Sequence, residues 1–390
     1  MARKKILWLC SWYPDKMEPF NGDFIQRHAY AAALYNDIYV IHVAGDVTGE
    51  AKGIEHVINR AEGLTEQIIY YNKSTSWFGK AVDYYRWSSI FKQAIRKYIL
   101  ENGKPDLVHV HIPFKAGLMA IRIKKKYGIP FIVTEHWTIY HSASQVKYEE
   151  QNAVFKSILT RVVKQSDLLT PVSNDLGLLM NKLVTKKNFS VIENVANDQY
   201  FHFADTAKPG FSFRFIHVSN MAYQKNVEGI IECFAEFQQQ YPATELVIAG
   251  HVSTTVKQLI DATGLLNTKI FLKGEINYSE VAVELQQADA LLMFSRFENS
   301  PCTIIEALCC GLPVIATSVG GIPELIDESN GLLITSEDNA ALSGAMENLR
   351  MNYALYNRKK IAEHARGRFS YTVIGKKMDT IYNSILTGLD

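Results

Sequence analysis

Two glutamates, Glu298 and Glu306, stand eight positions apart in the stretch Ser295-Arg-Phe-Glu-Asn-Ser-Pro-Cys-Thr-Ile-Ile-Glu-Ala-Leu308. Ser300 is a good N-cap and Pro301 a good first helical residue, so a helix is expected to open there. Its N-terminus would offer N–H groups and a positive dipole end to a phosphate. Asn299, Ser300, Pro301, Cys302 and Thr303 would make up that anion-binding turn. Glu298 lies in the loop beside it. Glu306 falls about a turn and a half into the helix, where its carboxylate can accept from a pair of sugar hydroxyls. Together these residues suit a hydroxyl-rich diphosphate.

Such a site needs a strand before it and a sheet around it. Short apolar runs alternate with longer amphipathic segments along the whole chain, the pattern of repeated β-α units with a mainly parallel sheet. In the first half, strands are expected over 5–10, 37–43, 67–71, 106–111, 130–134, 167–171 and 190–193. In the second half they are expected over 213–218, 245–249, 269–272, 290–294, 313–316 and 331–333. Several are continuously apolar, as strands covered on both faces should be. The aperiodic stretch Asn197–Gly210 ends in Pro-Gly and reads as a linker. The expected domains are therefore 1–200 and 201–370, with a terminal helix over 371–386 and Gly388 as its stop.

Composition agrees with two ordinary domains. The 390 residues are 47% hydrophobic and 21% charged, a soluble globular balance able to bury two cores. The net charge of +1 hides an asymmetry. Residues 1–200 carry 26 Lys and Arg against 19 Asp and Glu, while the rest carry 15 against 21, so the first half is the one expected to meet something anionic. Five cysteines with no C-x-x-C pair argue against disulfides and structural zinc and fit a reducing cytoplasm. The N-terminal apolar run is too short for a signal peptide and reads as a first buried strand. No run is long enough to span a membrane, and no G-x-G-x-x-G follows a strand, which excludes a nicotinamide dehydrogenase.

The glutamate pair, with the following Gly311-Leu-Pro-Val-Ile-Ala-Thr-Ser-Val-Gly-Gly-Ile-Pro-Glu-Leu325, resembles the donor site of glycosyltransferase family 4, retaining enzymes of the GT-B fold. The resemblance covers nearly the whole chain. It implies an α/β protein of two Rossmann-like domains facing each other across a cleft, with the C-terminal helix crossing back to the first. It implies that Lys225 pairs with the donor diphosphate, that Glu298 bonds hydroxyls of the transferred sugar and that Glu306 bonds the ribose. The family usually carries an arginine just before that lysine. This chain has Ser219-Asn220-Met221 instead, which places Asn220 in the donor site and removes one positive charge. The loop after Gly274 would meet the base through backbone groups. Gly22 matches the family's glycine-containing loop after the first strand, and His136, in Thr134-Glu-His, would lie beside the reacting sugar.

The reaction implied is transfer of a hexosyl group from a nucleotide diphosphate sugar to a hydroxyl, in the making of a cell-surface polysaccharide. His109 and His111 alternate along one strand and share a face, but two ligands are too few for a metal site. No Asp-x-Asp motif exists, so no metal and no cofactor is expected. The basic, aromatic segment Trp77–Tyr98 and the lysines at 124–126 are readable either as a core-packed helix with a solvated face or as a peripheral contact with anionic lipid on the cytoplasmic side of a membrane. The acceptor would be a glycan or a lipid-linked sugar. Nucleic acid is not expected as a partner, since the basic residues form no known binding motif. Two other readings share the scaffold: a sugar-nucleotide 2-epimerase-like isomerase, active without an acceptor, and a non-catalytic nucleotide-sugar binder.

Overall fold

The computed structural model describes residues 3–46, 48, 53–73, 79–205 and 212–388. The chain divides into two compact units. One comprises Met1–Tyr140, Lys147–Glu193 and Tyr371–Asp390, the other His141–Val146 and Asn194–Ser370. The division at Glu193/Asn194 falls before the expected 200/201. The reason is local: Ala196 and Phe201 are fully buried in the second unit's core, and Ala196 N–H donates to Phe369 O at 3.0 Å. Of the expected linker, residues 206–210 lie outside the described residues.

The first unit runs β1 (Lys5–Cys10), α1 (Asp23–Ala33), β2 (Asp37–Asp46), β3 (Ile54–Ala61), β4 (Leu64–Asn72), α2 (Gly79–Asn102), β5 (Leu107–His111), α3 (Ala116–Tyr127), β6 (Phe131–Thr134), α4 (Ala153–Gln165), β7 (Leu168–Leu169) and α5 (Asn174–Leu183). Its strands order as β3-β4-β2-β1-β5-β6-β7, parallel throughout except for the β3–β4 pair. β3 has no counterpart among the expected strands. Its residues are largely exposed, and as an edge strand it lacks the apolar run that marks the buried ones. The expected strand at 190–193 does not form. β7 is only two residues long, and beside it Ser190 and Ile192 donate to Leu169 O and Pro171 O in an irregular extension.

The second unit runs β8 (Phe213–Val218), α6 (Val227–Gln240), β9 (Thr244–Ala249), α7 (Thr254–Thr263), β10 (Ile270–Gly274), α8 (Tyr278–Gln287), β11 (Ala290–Met293), α9 (Cys302–Cys309), β12 (Val314–Thr317), β13 (Gly331–Ile334), α10 (Asn339–Met351) and α11 (Arg358–Phe369). Its sheet orders as β10-β9-β8-β11-β12-β13, all parallel. Apolar residues on both faces of β8, β9, β11 and β12 feed two buried clusters, as a sheet covered by helices on each side requires.

The terminal helix α12 (Tyr371–Thr387) belongs to the first unit. A Cβ on Gly375 would fall 2.1 Å from Ala31 O, so α12 rides directly on α1. Lys4 Nζ–Asp379 Oδ1 (2.6 Å) and Lys377 Nζ–Glu193 Oε2 (2.6 Å) fix its register. Of the basic, aromatic segment, Trp77 and Phe78 lie outside the described residues, while Trp87, Phe91 and Tyr98 of α2 are buried in the core. No helix among the described residues is long and apolar enough to cross a membrane.

Candidate functional site

In the second sheet the strand order reverses between β8 and β11, and open parallel sheets bind ligands beyond the carboxyl ends of their strands at such a reversal. β8 leads there into Ser219–Asn226, and β11 leads into Phe294–Pro301 ahead of α9. Arg296 N–H donates to Gln224 O at 2.8 Å, which ties the two loops together.

Glu298 is buried on the second loop and collects three donors. Lys225 Nζ stands 2.5 Å from its Oε1, Ser295 Oγ–H donates to the same oxygen at 2.9 Å, and Gln224 Nε2 donates to Oε2 at 2.9 Å. The carboxylate is thus fixed in place by the very lysine assigned to the diphosphate. Gly320 lies over its backbone in the left-handed region (φ 52°). A Cβ there would sit 1.8 Å from Glu298 O, so no side chain fits.

The helix start differs from expectation by one residue. α9 begins at Cys302, Pro301 occupies the cap position with an extended ψ of 120°, and Ser300 makes no capping bond. Ser300 is instead held by its carbonyl, which accepts from Asn194 Nδ2 at 2.6 Å, while its buried hydroxyl has no partner among the described residues. Asn299 Oδ1 is bonded to His141 Nε2 at 2.7 Å. Thr303 Oγ1 reaches Val218 O at 3.4 Å, tying the first turn of α9 to the end of β8. Glu306, fifth residue of α9, is buried and accepts from Tyr278 Oη at 3.0 Å. Glu298, Lys225 and the 299–303 turn are therefore brought together on one rim of one sheet. Gly274 closes β10 with φ 68°.

Asn220 replaces the usual arginine with a turn contact: its Oδ1 accepts from Ala222 N at 3.2 Å, and Met221 takes φ 54°. Arg296 is the cation that the second loop brings to this turn, and its guanidinium is engaged by protein groups. It donates to Tyr223 O (2.6 Å) and Asn226 Oδ1 (2.8 Å), pairs with Glu228 and Glu337 and lies 4.2 Å from the centre of the Tyr223 ring. Sequence reasoning misses Arg296, Gln224, Ser295, Tyr278, His141 and Asn194. Their signal is the three-dimensional pairing itself, since His141 and Asn194 come from far along the chain.

The first unit has its own strand-order reversal, between β1 and β5. Gly22 caps α1 there with φ 77°, and a Cβ on it would fall 2.9 Å from the backbone of Trp12 and Tyr13, so glycine closes the β1–α1 turn. His136 follows β6 and is buried. Around it the fold gathers His28 from α1 and His111 from β5, with one ring nitrogen of each within 4.8 Å of the others. His111 Nδ1 stands 3.4 Å from His136 Nε2, and His28 Nε2 stands 2.9 Å from Glu193 O. His109 shares the face of His111, as expected, but bonds Tyr382 Oη (2.8 Å) and Thr134 Oγ1 (2.6 Å). Burial holds His28 down to about 4 and pushes His109, His111 and His136 well below the usual histidine range, so the rings are neutral. Nothing in the sequence marks His28, because no spacing links it to residues 83 and 108 positions away.

Residues 198–368 match the family model described as glycosyl transferases group 1, and residues 30–199 match the model described as Glycosyltransferase Family 4. An N-acetyl-alpha-D-glucosaminyl L-malate synthase of Bacillus anthracis is 25% identical over 297 residues, 72% of this chain and 75% of the relative. A putative teichuronic acid biosynthesis glycosyltransferase of Bacillus subtilis is 25% identical over 361 residues, 88% of each chain. Among solved structures, Anabaena HepE in complex with UDP superimposes with a TM-score of 0.74 over 97% of this chain and all of that one, at 15% identity.

Proposed function

We propose that this chain, which belongs to glycosyltransferase family 4 and is a glycosyltransferase of the GT-B fold, moves a hexosyl group from a nucleotide diphosphate sugar to a hydroxyl with retention of configuration. The carrying observation is the buried Glu298, held between Lys225, Gln224 and Ser295 at the head of α9. In this reading Lys225 and the amides opening α9 take the charge that builds on the leaving diphosphate, so no divalent ion is needed on it. Glu298 bonds hydroxyls of the sugar, Glu306 the ribose, and His136 stands beside the sugar. The turn from Asn299 to Thr303, with Gly22, Asn220 and Gly274, supplies the remaining donor contacts. The names of the relatives support a cell-surface polysaccharide or glycolipid as product. Five cysteines, all free thiols, support a cytoplasmic location. Exposed Tyr85 and Val82 on α2, next to basic Arg86, support a peripheral contact with anionic lipid.

The test is a thermal-shift panel of uridine, guanosine and adenosine diphosphate sugars, followed by transfer assays with the stabilising donor. One donor class should raise the melting temperature, and its sugar should pass to a hydroxyl acceptor at a rate unaffected by added magnesium or manganese. No shift with any donor overturns the reading.

A further inference from the structure

Three imidazoles from three separate elements converge in the interior of the first unit. His28 and His111 are fully buried and His136 nearly so. His28 Nε2 lies 2.9 Å from the Glu193 carbonyl, a contact only an N–H can make. The proton is thereby fixed on Nε2, and Nδ1 is left as a lone pair, buried with no hydrogen-bond partner among the described residues. His111 Nε2 is buried without a partner as well, which leaves Nδ1, the atom facing His136, as the one placed to ligate. A buried nitrogen lone pair left without a partner is costly. The rings around them are Trp8, Phe24, His109 and one another, with centre separations of 4.1 Å for His109–His111, 5.7 Å for His111–His136, 5.6 Å for His28–His136 and 6.3 Å for His28–His111.

We propose that His28, His111 and His136 form a binding site for a divalent transition metal of the zinc type, seated between their ring nitrogens. With metal–nitrogen bonds of about 2.0–2.1 Å, two ligands of one tetrahedral ion stand about 3.3–3.4 Å apart. His111 Nδ1 and His136 Nε2 are already 3.4 Å apart. The third nitrogen lies within 4.8 Å and has to draw in. His28 has the outer contact that metal-bound histidines show, its far N–H donating to a backbone carbonyl. Three neutral nitrogen ligands select zinc, cobalt, nickel or copper over magnesium, which prefers oxygen, and leave a fourth position for water. The site shares His136 with the donor reading, but its test reads metal retention through His28 and His111, which that reading does not use, so the two can fail separately.

The full chain, stripped with a chelator, is titrated with zinc chloride and, separately, cobalt chloride. Zinc should stay with the protein at about one equivalent through gel filtration and raise the melting temperature. Cobalt should give the visible absorption of a four-coordinate ion. His28→Gln and His111→Gln should each release the ion. Retention below about a tenth of an equivalent overturns the proposal, as does undiminished retention in both variants, which would assign the ion to surface histidines. If the variants fail to fold, the wild-type cobalt spectrum decides: absence of the visible bands rejects the site.

Discussion

Lys225 Nζ rests 2.5 Å from Glu298 Oε1, with the two side chains 17% and 4% exposed. Under the proposed function, the cation that would take the diphosphate is already engaged, and a donor would have to draw it from a carboxylate. Removing the lysine has two costs. The phosphate loses a charge-assisted bond worth about 1.5–3 kcal/mol, and a buried carboxylate loses its counter-charge. Lys225→Ala should therefore weaken donor binding by about 1–3 kcal/mol and also lower stability, whereas Lys225→Ala combined with Glu298→Gln should recover most of the stability and none of the affinity. Calorimetry and denaturant unfolding on both variants check this. Glu298→Ala alone should spare the nucleotide and reduce transfer; full turnover in that variant removes the role given to Glu298.

Glu306 is held by Tyr278 Oη at 3.0 Å in the interior of α9's first turns. A ribose would bond the same carboxylate. Glu306→Ala should weaken binding of the bare nucleoside diphosphate by about 1–3 kcal/mol, and it should do so equally for the sugar-free and sugar-bearing ligands. A loss confined to the sugar-bearing donor would move Glu306 from the ribose to the sugar.

Arg296 bonds the loop that carries Lys225, and in the proposed reading it would position that lysine. Its exposed partners Glu228 and Glu337 contribute little to stability. Its bonds to Tyr223 O and Asn226 Oδ1 bracket Lys225 on both sides. Arg296→Met should raise the donor KM roughly tenfold, a loss of about 1.4 kcal/mol, with a smaller change in kcat. Arg296→Lys should not restore it, since an ammonium cannot span both acceptors as the planar fork does. A variant with a lowered melting temperature and an unchanged KM would show Arg296 to be structural only.

Much of this is legible in the sequence because parallel sheets write their strands as apolar runs. β1, β8 and α12 fall within a residue of their expected bounds. The exposed edge strand β3 carries no such run. The Glu298–Glu306 pair is visible since both stand on one short strand-to-helix segment. The start of α9 is not, because Ser300 satisfies the local rules for a cap, yet in the structure its carbonyl is held by Asn194, 106 positions away, and its hydroxyl makes no capping bond. His28 joining His111 and His136, and His141 reaching Asn299, are products of chain crossing that no spacing encodes.

His217 lies on β8 just before the Lys225 loop, fully buried, its Nδ1 2.9 Å from Leu292 O and its Nε2 2.8 Å from Ser219 Oγ. Burial, opposed by the Leu292 carbonyl and aided by the nearby Lys225 charge, lowers its pKa to about 4. In the unfolded chain the same group titrates near about 6.5. Between these values the unfolded state binds a proton that the native state refuses, so stability must fall as pH drops from about 6.5 to about 4 and not change further from this group below that. Each tenfold difference in proton affinity between the two states is worth about 1.4 kcal/mol, so the loss approaches about 3 kcal/mol. His217→Leu keeps similar bulk without the titration. It should be less stable at pH ~7, where Ser219 Oγ and Leu292 O each lose the bond to the imidazole, yet its unfolding free energy should decline less steeply on acidification than that of the wild type. Parallel curves for the two proteins from about pH 7 to about pH 4 would show that His217 is not the group that couples this strand to acid.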